Sequence, residues 1–64
     1  MNNNEFEVLQ FLICARYVNK DTLEECENLT VLMAADMKTA LDMFLKAEEN
    51  NDDFVEVIYI SLCE

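Results

Sequence analysis

Asp36–Glu49 reads Asp-Met-Lys-Thr-Ala-Leu-Asp-Met-Phe-Leu-Lys-Ala-Glu-Glu, and this stretch decides the fold. Asp36 carries a short acceptor side chain of the kind that takes hydrogen bonds from the free N–H groups of a first helical turn. Its charge also suits the positive end of the helix dipole. Met37, Ala40, Leu41 and Phe44 recur at spacings of three and four, with Ala47 extending the stripe and Leu45 beside it. That is the pattern of a helix lying on an apolar surface, and it makes Met37, Met43 and Phe44 core candidates. Lys38, Asp42 and Lys46 fall four apart on the far side with alternating sign, where they can pair. Asn50 or Asn51 can take the left-handed conformation that closes a helix.

The segments on either side read as strands. Glu5–Val18 is rich in Phe, Val, Leu, Ile and Tyr. Leu9, Phe11, Ile13, Ala15 and Tyr17 share one parity and are the better candidates to face the helix. Phe6, Val8, Gln10, Leu12, Cys14, Arg16 and Val18 share the other. A helix is the competing reading of this segment, but Glu5, Glu7, Gln10 and Arg16 do not gather on one helical face. Asn19–Asn28 reads as a connection, with Asp21-Thr-Leu-Glu24 in the form of a capping box that predicts a single helical turn. Leu29–Ala35 is a second strand, in which Leu29, Val31 and Met33 oppose Thr30, Leu32 and Ala34. Asn50–Asp53 is a polar turn. Phe54–Leu62 is a third strand, with Val55, Val57 and Tyr59 on one side and Phe54, Ile58, Ile60 and Leu62 on the other.

The expected fold is therefore α+β, a single domain over 1–64 with a frayed terminus at Met1–Asn4. Its layout is β-β-α-β, a three-stranded antiparallel sheet in order 2-1-3 with one helix packed on one face. The first two strands form a hairpin, and the third follows a right-handed crossover. The longest strand belongs in the middle.

Composition excludes more than it names. The chain has no histidine and no glycine. It therefore lacks the usual general base, a Ser-His triad and a His-containing zinc site. It equally lacks the glycines of a P-loop or a dinucleotide fingerprint. Cys14, Cys26 and Cys63 are odd in number and have no CxxC spacing, so they read as reduced thiols. Glu48–Asp53 is rich in carboxylates but lacks the spacing and turn glycine of an EF-hand. No cofactor, metal or catalytic residue is expected. The net charge of −10 sets 14 acids against Arg16, Lys20, Lys38 and Lys46. Direct binding to nucleic acid or to an anionic membrane is disfavoured, whereas a basic protein surface would be attracted. The longest apolar runs are too short to span a bilayer. No basic n-region precedes them, so no signal peptide and a cytoplasmic residence are expected.

Two surfaces follow from this layout. In order 2-1-3 the loop after the first strand and the loop before the third share one end of the sheet. Asp21, Glu24, Glu25 and Glu27 then join Glu48, Glu49, Asp52 and Asp53 in an acidic rim suited to a basic partner. The bare sheet face is expected to be apolar through Val8, Leu12, Val18, Phe54, Ile58, Ile60 and Leu62. Such a face usually marks an interface, here a homodimer or a protein partner. A small, acidic, Asn-rich chain with this layout and no catalytic motif resembles the small early proteins of bacteriophages, the anti-CRISPR and anti-restriction kind among them. The resemblance covers size, charge and layout. It implies a non-enzymatic inhibitor, acting in the host cytoplasm, that occupies a basic nucleic-acid-binding or regulatory surface of a host protein. The alternative is a structural or adaptor homodimer working through the apolar face, with the acids serving solubility.

Overall fold

The computed structural model describes residues 8–63 of the chain. The terminus at Met1–Asn4 and the first residues expected in strand one lie outside the described residues. Three strands and one helix follow in the order β1 (Leu9–Val18), β2 (Glu25–Ala34), α1 (Met37–Glu48) and β3 (Phe54–Cys63). The sheet is antiparallel in order β2-β1-β3, and α1 packs on one of its faces, giving the α+β fold expected.

The helix starts where its sequence says it must. Asp36 is the N-cap, and its carboxylate accepts from the Thr39 N–H at 2.7 Å. That bond, the Thr39 side chain and the nearby Lys38 hold its pKa below the ordinary 3.8. Lys38 pairs with Asp42 one turn on, at 3.2 Å. At the other end no residue turns left-handed. Glu49 stays helical and donates to the Lys46 carbonyl, and Asn51 closes the turn by donating its N–H to the Glu48 carbonyl at 2.9 Å. An asparagine side chain can bond the backbone of its own loop, which removes the need for the left-handed step.

Ala40 and Phe44 are the helix residues that reach full burial. Phe44 sits among Ile13, Ala15 and Tyr17, and Ala40 lies against Phe11 and Ala34. The expected parity of β1 is thus the observed one: Phe11, Ile13, Ala15 and Tyr17 form its covered face, while Leu9 at the start of the strand is exposed. Met37 and Met43, expected in the core, are exposed, as are Ala47 at the end of the stripe and Leu45 beside it. A helix is about 10 Å wide with its side chains, and strands are spaced about 4.8 Å apart, so only the narrow stripe over the central strand is sealed.

Two corrections concern the strands. First, β2 begins at Glu25, not Leu29, and runs in unbroken register against β1 from Val18↔Glu25 to Leu9↔Ala34. Residues 25–28, the second part of the stretch read as a connection, belong to an exposed edge strand, where acids are tolerated because their side chains face water. The expected helical turn at Asp21–Glu24 is a tight turn organised by Asn19. Asn19 Oδ1 accepts from the Asp21 and Thr22 N–H groups at 2.8 and 2.9 Å, and its own N–H donates to the Glu24 carbonyl.

Second, β3 does not alternate. Its register against β1 slips twice, from Cys14↔Tyr59 to Ala15↔Val57 and from Arg16↔Glu56 to Tyr17↔Phe54. Ile58 and Val55 are the unpaired residues of two bulges, and each bulge moves the following residues to the opposite face. Phe54, Val57 and Ile60 therefore all reach the core beneath the helix. Phe54 meets the edges of Tyr17 and Phe44, with ring centroids 5.7 and 5.9 Å apart.

Two outcomes check this packing. Ile60→Asp should unfold the chain, whereas Ile58→Asp, in a bulge and half open to water, should leave the far-UV circular dichroism and urea midpoint nearly unchanged. Uniform alternation would make the two equivalent, since both residues have the same parity. The helix cap makes a pH-dependent contribution. A folded pKa depressed below the ordinary one stabilises above that ordinary value and loses its effect as pH falls through the folded value. The melting temperature of Asp36→Ala should therefore lie below that of the parent at neutral pH, and the gap should close on acidification below about pH 4.

Candidate interaction surface

The acidic end is assembled by topology. The Val18 N–H donates to the Asp53 carbonyl at 2.9 Å, which ties the loop before β3 to the last residue of β1. The β1–β2 turn springs from the same point. Asp21 and Glu24 lie in that turn, Glu48 ends α1, and Glu49, Asp52 and Asp53 follow in the loop. The expected set is thus brought to one end of the sheet, but not onto one face. Glu25 and Glu27 sit on β2 opposite Val18 and Arg16, on the side of the sheet away from the helix. Glu48 is on the helix side beside Tyr17, whose hydroxyl pKa is raised by burial first and then by that carboxylate.

Of the four cations, Arg16 and Lys38 are paired with carboxylates, while Lys20 in the β1–β2 turn and Lys46 in the last turn of α1 lie at the acidic end without an ion pair among the described residues. Arg16 is held on the open face by Glu56, with Nη2 and Nε 2.8 and 3.0 Å from Oε2, and by Glu25 at 3.5 Å. The Glu56 hydrogen bond and charge raise the Arg16 pKa further, with Glu25 adding to the effect. Among the described residues, Asp21, Glu24, Glu48, Glu49, Asp52 and Asp53 form no ion pair. A shallow depression of about 330 Å³ lies between Arg16, Glu25, Cys26 and Glu27. Its one cation is already neutralised by carboxylates, so it does not form an anion site. No group of three or more metal-ligating side chains is gathered among the described residues.

Among the described residues, the β1–β2 turn carries the one left-handed residue. Leu23 has φ 63°, the left-handed region that favours glycine, and its side chain is 74% exposed. Left-handed backbone costs a residue with a Cβ about 1–2 kcal/mol. The turn holds it there through the Leu23 N–H to Asn19 carbonyl bond at 2.7 Å. Leu23 is thus an apolar side chain held out between Asp21 and Glu24. No sequence signal marks it, because leucine is not a residue of left-handed turns.

The open sheet face differs from the expected one. Leu12 and Val18 lie on it, and Val8 is exposed just before β1. Phe54 and Ile60 belong to the core beneath the helix, Leu62 stands opposite Phe11 on that same side, and Ile58 is a bulge residue. The β3 bulges cause the change. In their place the face is built by Leu29, Val31 and Met33 of β2, at 63%, 55% and 55% exposure, with Leu12 and Tyr59 alongside. Cys14 is buried in the same face between Leu29 and Tyr59. The alternation of Leu29, Val31 and Met33 is plain in the sequence, but which side it faces depends on register.

The fold and this surface define a two-layer α+β domain with one covered and one open sheet face and an acidic end. No helix among the described residues is long and apolar enough to cross a membrane. No protein-family model, curated protein or solved structure matches the chain.

The Arg16 cluster has a testable electrostatic signature. Arg16→Met leaves Glu25, Glu27 and Glu56 facing one another without a counter-charge. Its melting temperature should drop below the parent's, and the drop should be larger at low than at high salt, because exposed like charges are screened by ions. An equal loss at both ionic strengths would assign Arg16 a packing role instead.

Proposed function

We propose that the chain is a non-enzymatic protein-binding module, an inhibitor of the small phage type, that occupies a basic surface of another protein in the cytoplasm through its acidic end. The observation that carries this reading is the pairing of charge with strain. Leu23, an apolar residue kept exposed at the expense of backbone strain, stands between Asp21 and Glu24 in the turn, at the end of the sheet to which Asp52 and Asp53 are also tied. Strain of this kind persists where surrounding structure enforces it, and it concentrates at functional sites. An apolar anchor ringed by polar groups is also the anatomy of a binding hot spot. Long-range attraction by the net charge of −10 would speed encounter with a basic patch.

The test uses the immobilised chain and a panel of purified nucleic-acid-binding proteins, with a non-basic protein as control. Binding should weaken steeply with salt. It should be lost in Glu24→Lys/Asp52→Lys/Asp53→Lys with circular dichroism unchanged. Leu23→Gly separates anchor from scaffold: it should weaken binding at least tenfold while keeping or raising the melting temperature, since glycine relieves the left-handed strain. Undiminished binding in the charge-reversed chain would sink the reading. A second reading, a structural or adaptor homodimer working through the open sheet face, draws on the exposure of Leu29, Val31 and Met33. Under it, Leu12→Asp abolishes assembly and the charge reversals do nothing.

A further inference from the structure

The two edges of the sheet are protected unequally. β3 carries two bulges, which twist a strand and break up its free edge. β2 has no bulge against β1 and no proline or lysine, and its charges stop at Glu27. The remaining half, Asn28-Leu-Thr-Val-Leu-Met-Ala34, is a regular, uncharged edge.

The direction of its free backbone groups follows from β1. Val18 turns its N–H toward β3, to the Asp53 carbonyl, and Asn19 turns its N–H toward β2, to the Glu24 carbonyl. Along the regular β1, even residues therefore address β3 and odd residues address β2. Phe11, Ile13, Ala15 and Tyr17 bond Leu32, Thr30, Asn28 and Cys26, their partners in register. The N–H and C=O groups of Leu29, Val31 and Met33 consequently point away from the sheet, and no described strand meets them.

We propose that this edge pairs with the same edge of a second copy, antiparallel about Val31, to give a continuous six-stranded sheet. The self-complementarity is specific. With the two-fold axis at Val31, Leu29 meets Met33, Asn28 meets Ala34 and Thr30 meets Leu32, each within the uncharged half. Leu29, Val31 and Met33 each donate and accept one backbone bond across the junction, the pattern of an antiparallel ladder. Glu27 falls opposite Ala35 and Cys26 opposite Asp36, and Glu25 lies past the end of the partner strand, so no carboxylate stands directly across from another. Moving the axis toward Glu27 carries that charge onto Met33 and then onto Val31, and moving it toward Ala34 shortens the paired segment, so the axis at Val31 is the one that pairs the whole uncharged stretch. The pairing brings the two open faces side by side and leaves both acidic ends free. It is independent of the reading of the acidic end as a binding site. Its salt dependence also has the opposite sign: two chains of charge −10 associate better as salt screens their repulsion.

The experiment is sedimentation equilibrium of the full chain over a range of concentrations at low and high salt. A dimer that strengthens with salt is expected. Val31→Pro should be monomeric with the parent's circular dichroism, because the N–H it removes is not used within the sheet and proline is tolerated at such edge positions. A parent chain that stays monomeric at every concentration overturns the proposal, as does a folded Val31→Pro chain that dimerises like the parent. If Val31→Pro fails to fold, a cysteine test decides. In a Cys14→Ala/Cys26→Ser/Cys63→Ser background, Val31→Cys should oxidise to a covalent dimer, since directly opposed Cα atoms lie about 5.5 Å apart, within disulfide range. Leu29→Cys should not, because its own mate would be about 13 Å away along the strands. Cross-linking at Leu29 but not at Val31 rejects the axis.

Discussion

The placement of Ala40 and Phe44 over the odd-numbered face of β1 is the contact on which the rest of the molecule depends. One helix can shadow one strand and the inner flanks of its two neighbours. The buried set is accordingly small, namely Phe11, Ile13, Ala15 and Tyr17 below, Ala34 to one side, and Ala40 and Phe44 above, with Cys14 on the reverse of the sheet. A core of this size stabilises a short chain only marginally. Everything else in the fold is arranged around keeping that stripe dry, and the exposed helix residues Met37, Met43 and Leu45 are what a single helix leaves uncovered.

The bulges in β3 follow from the same constraint. A regular strand offers alternate residues to the helix. β3 instead offers every third residue, Phe54, Val57 and Ile60, by looping out Val55 and Ile58. The added twist brings Phe54 close enough to meet both Tyr17 and Phe44 edge-on, an arrangement favoured by the quadrupoles of the rings. The same twist disrupts the free edge of β3. β2, whose register with β1 never slips, contributes Leu32 and Ala34 to the core but keeps a straight edge and a row of apolar side chains on the open face. The asymmetry between the two edges is thus a consequence of how the core is filled.

This also explains which features were legible in the sequence. The helix and its Asp36 cap and the buried parity of β1 are local signals of spacing and residue type, the strand order follows from connection rules and strand length, and each is observed. Bulges are not local: an inserted residue looks like any other apolar residue, so alternation placed Phe54, Ile60 and Leu62 on the wrong face. The start of β2 was obscured by Glu25, Cys26 and Glu27, which resemble loop residues until the neighbouring strand supplies a partner for their backbone. Of the candidate surface, the gathering of acids at one end was readable from topology alone, whereas their division between the two faces and the strained Leu23 required coordinates.

A chain without glycine must make its turns by other means, and here the means are concentrated at one end. Asn19 accepts two backbone N–H groups in the first turn. Asn51 does similar work in the second, bonding the Glu48 carboxylate through its amide nitrogen at 2.9 Å and accepting from the Asp53 N–H at 3.0 Å. The two asparagines stabilise loops whose charges oppose compaction, since Glu48 and Glu49 stand at the negative end of the helix dipole and Asp52 and Asp53 follow directly. A sequence selected only for stability could place a glycine at position 23 and a lysine or arginine in place of Glu49. The observed residues instead combine a left-handed leucine with carboxylates that outnumber the neighbouring Lys20 and Lys46, at the end opposite the helix cap. On the proposed reading, these broken local rules were set by binding and not by folding. The opposite end, where Asp36 caps the helix and Ala34 and Ala40 pack on Phe11, follows those rules closely.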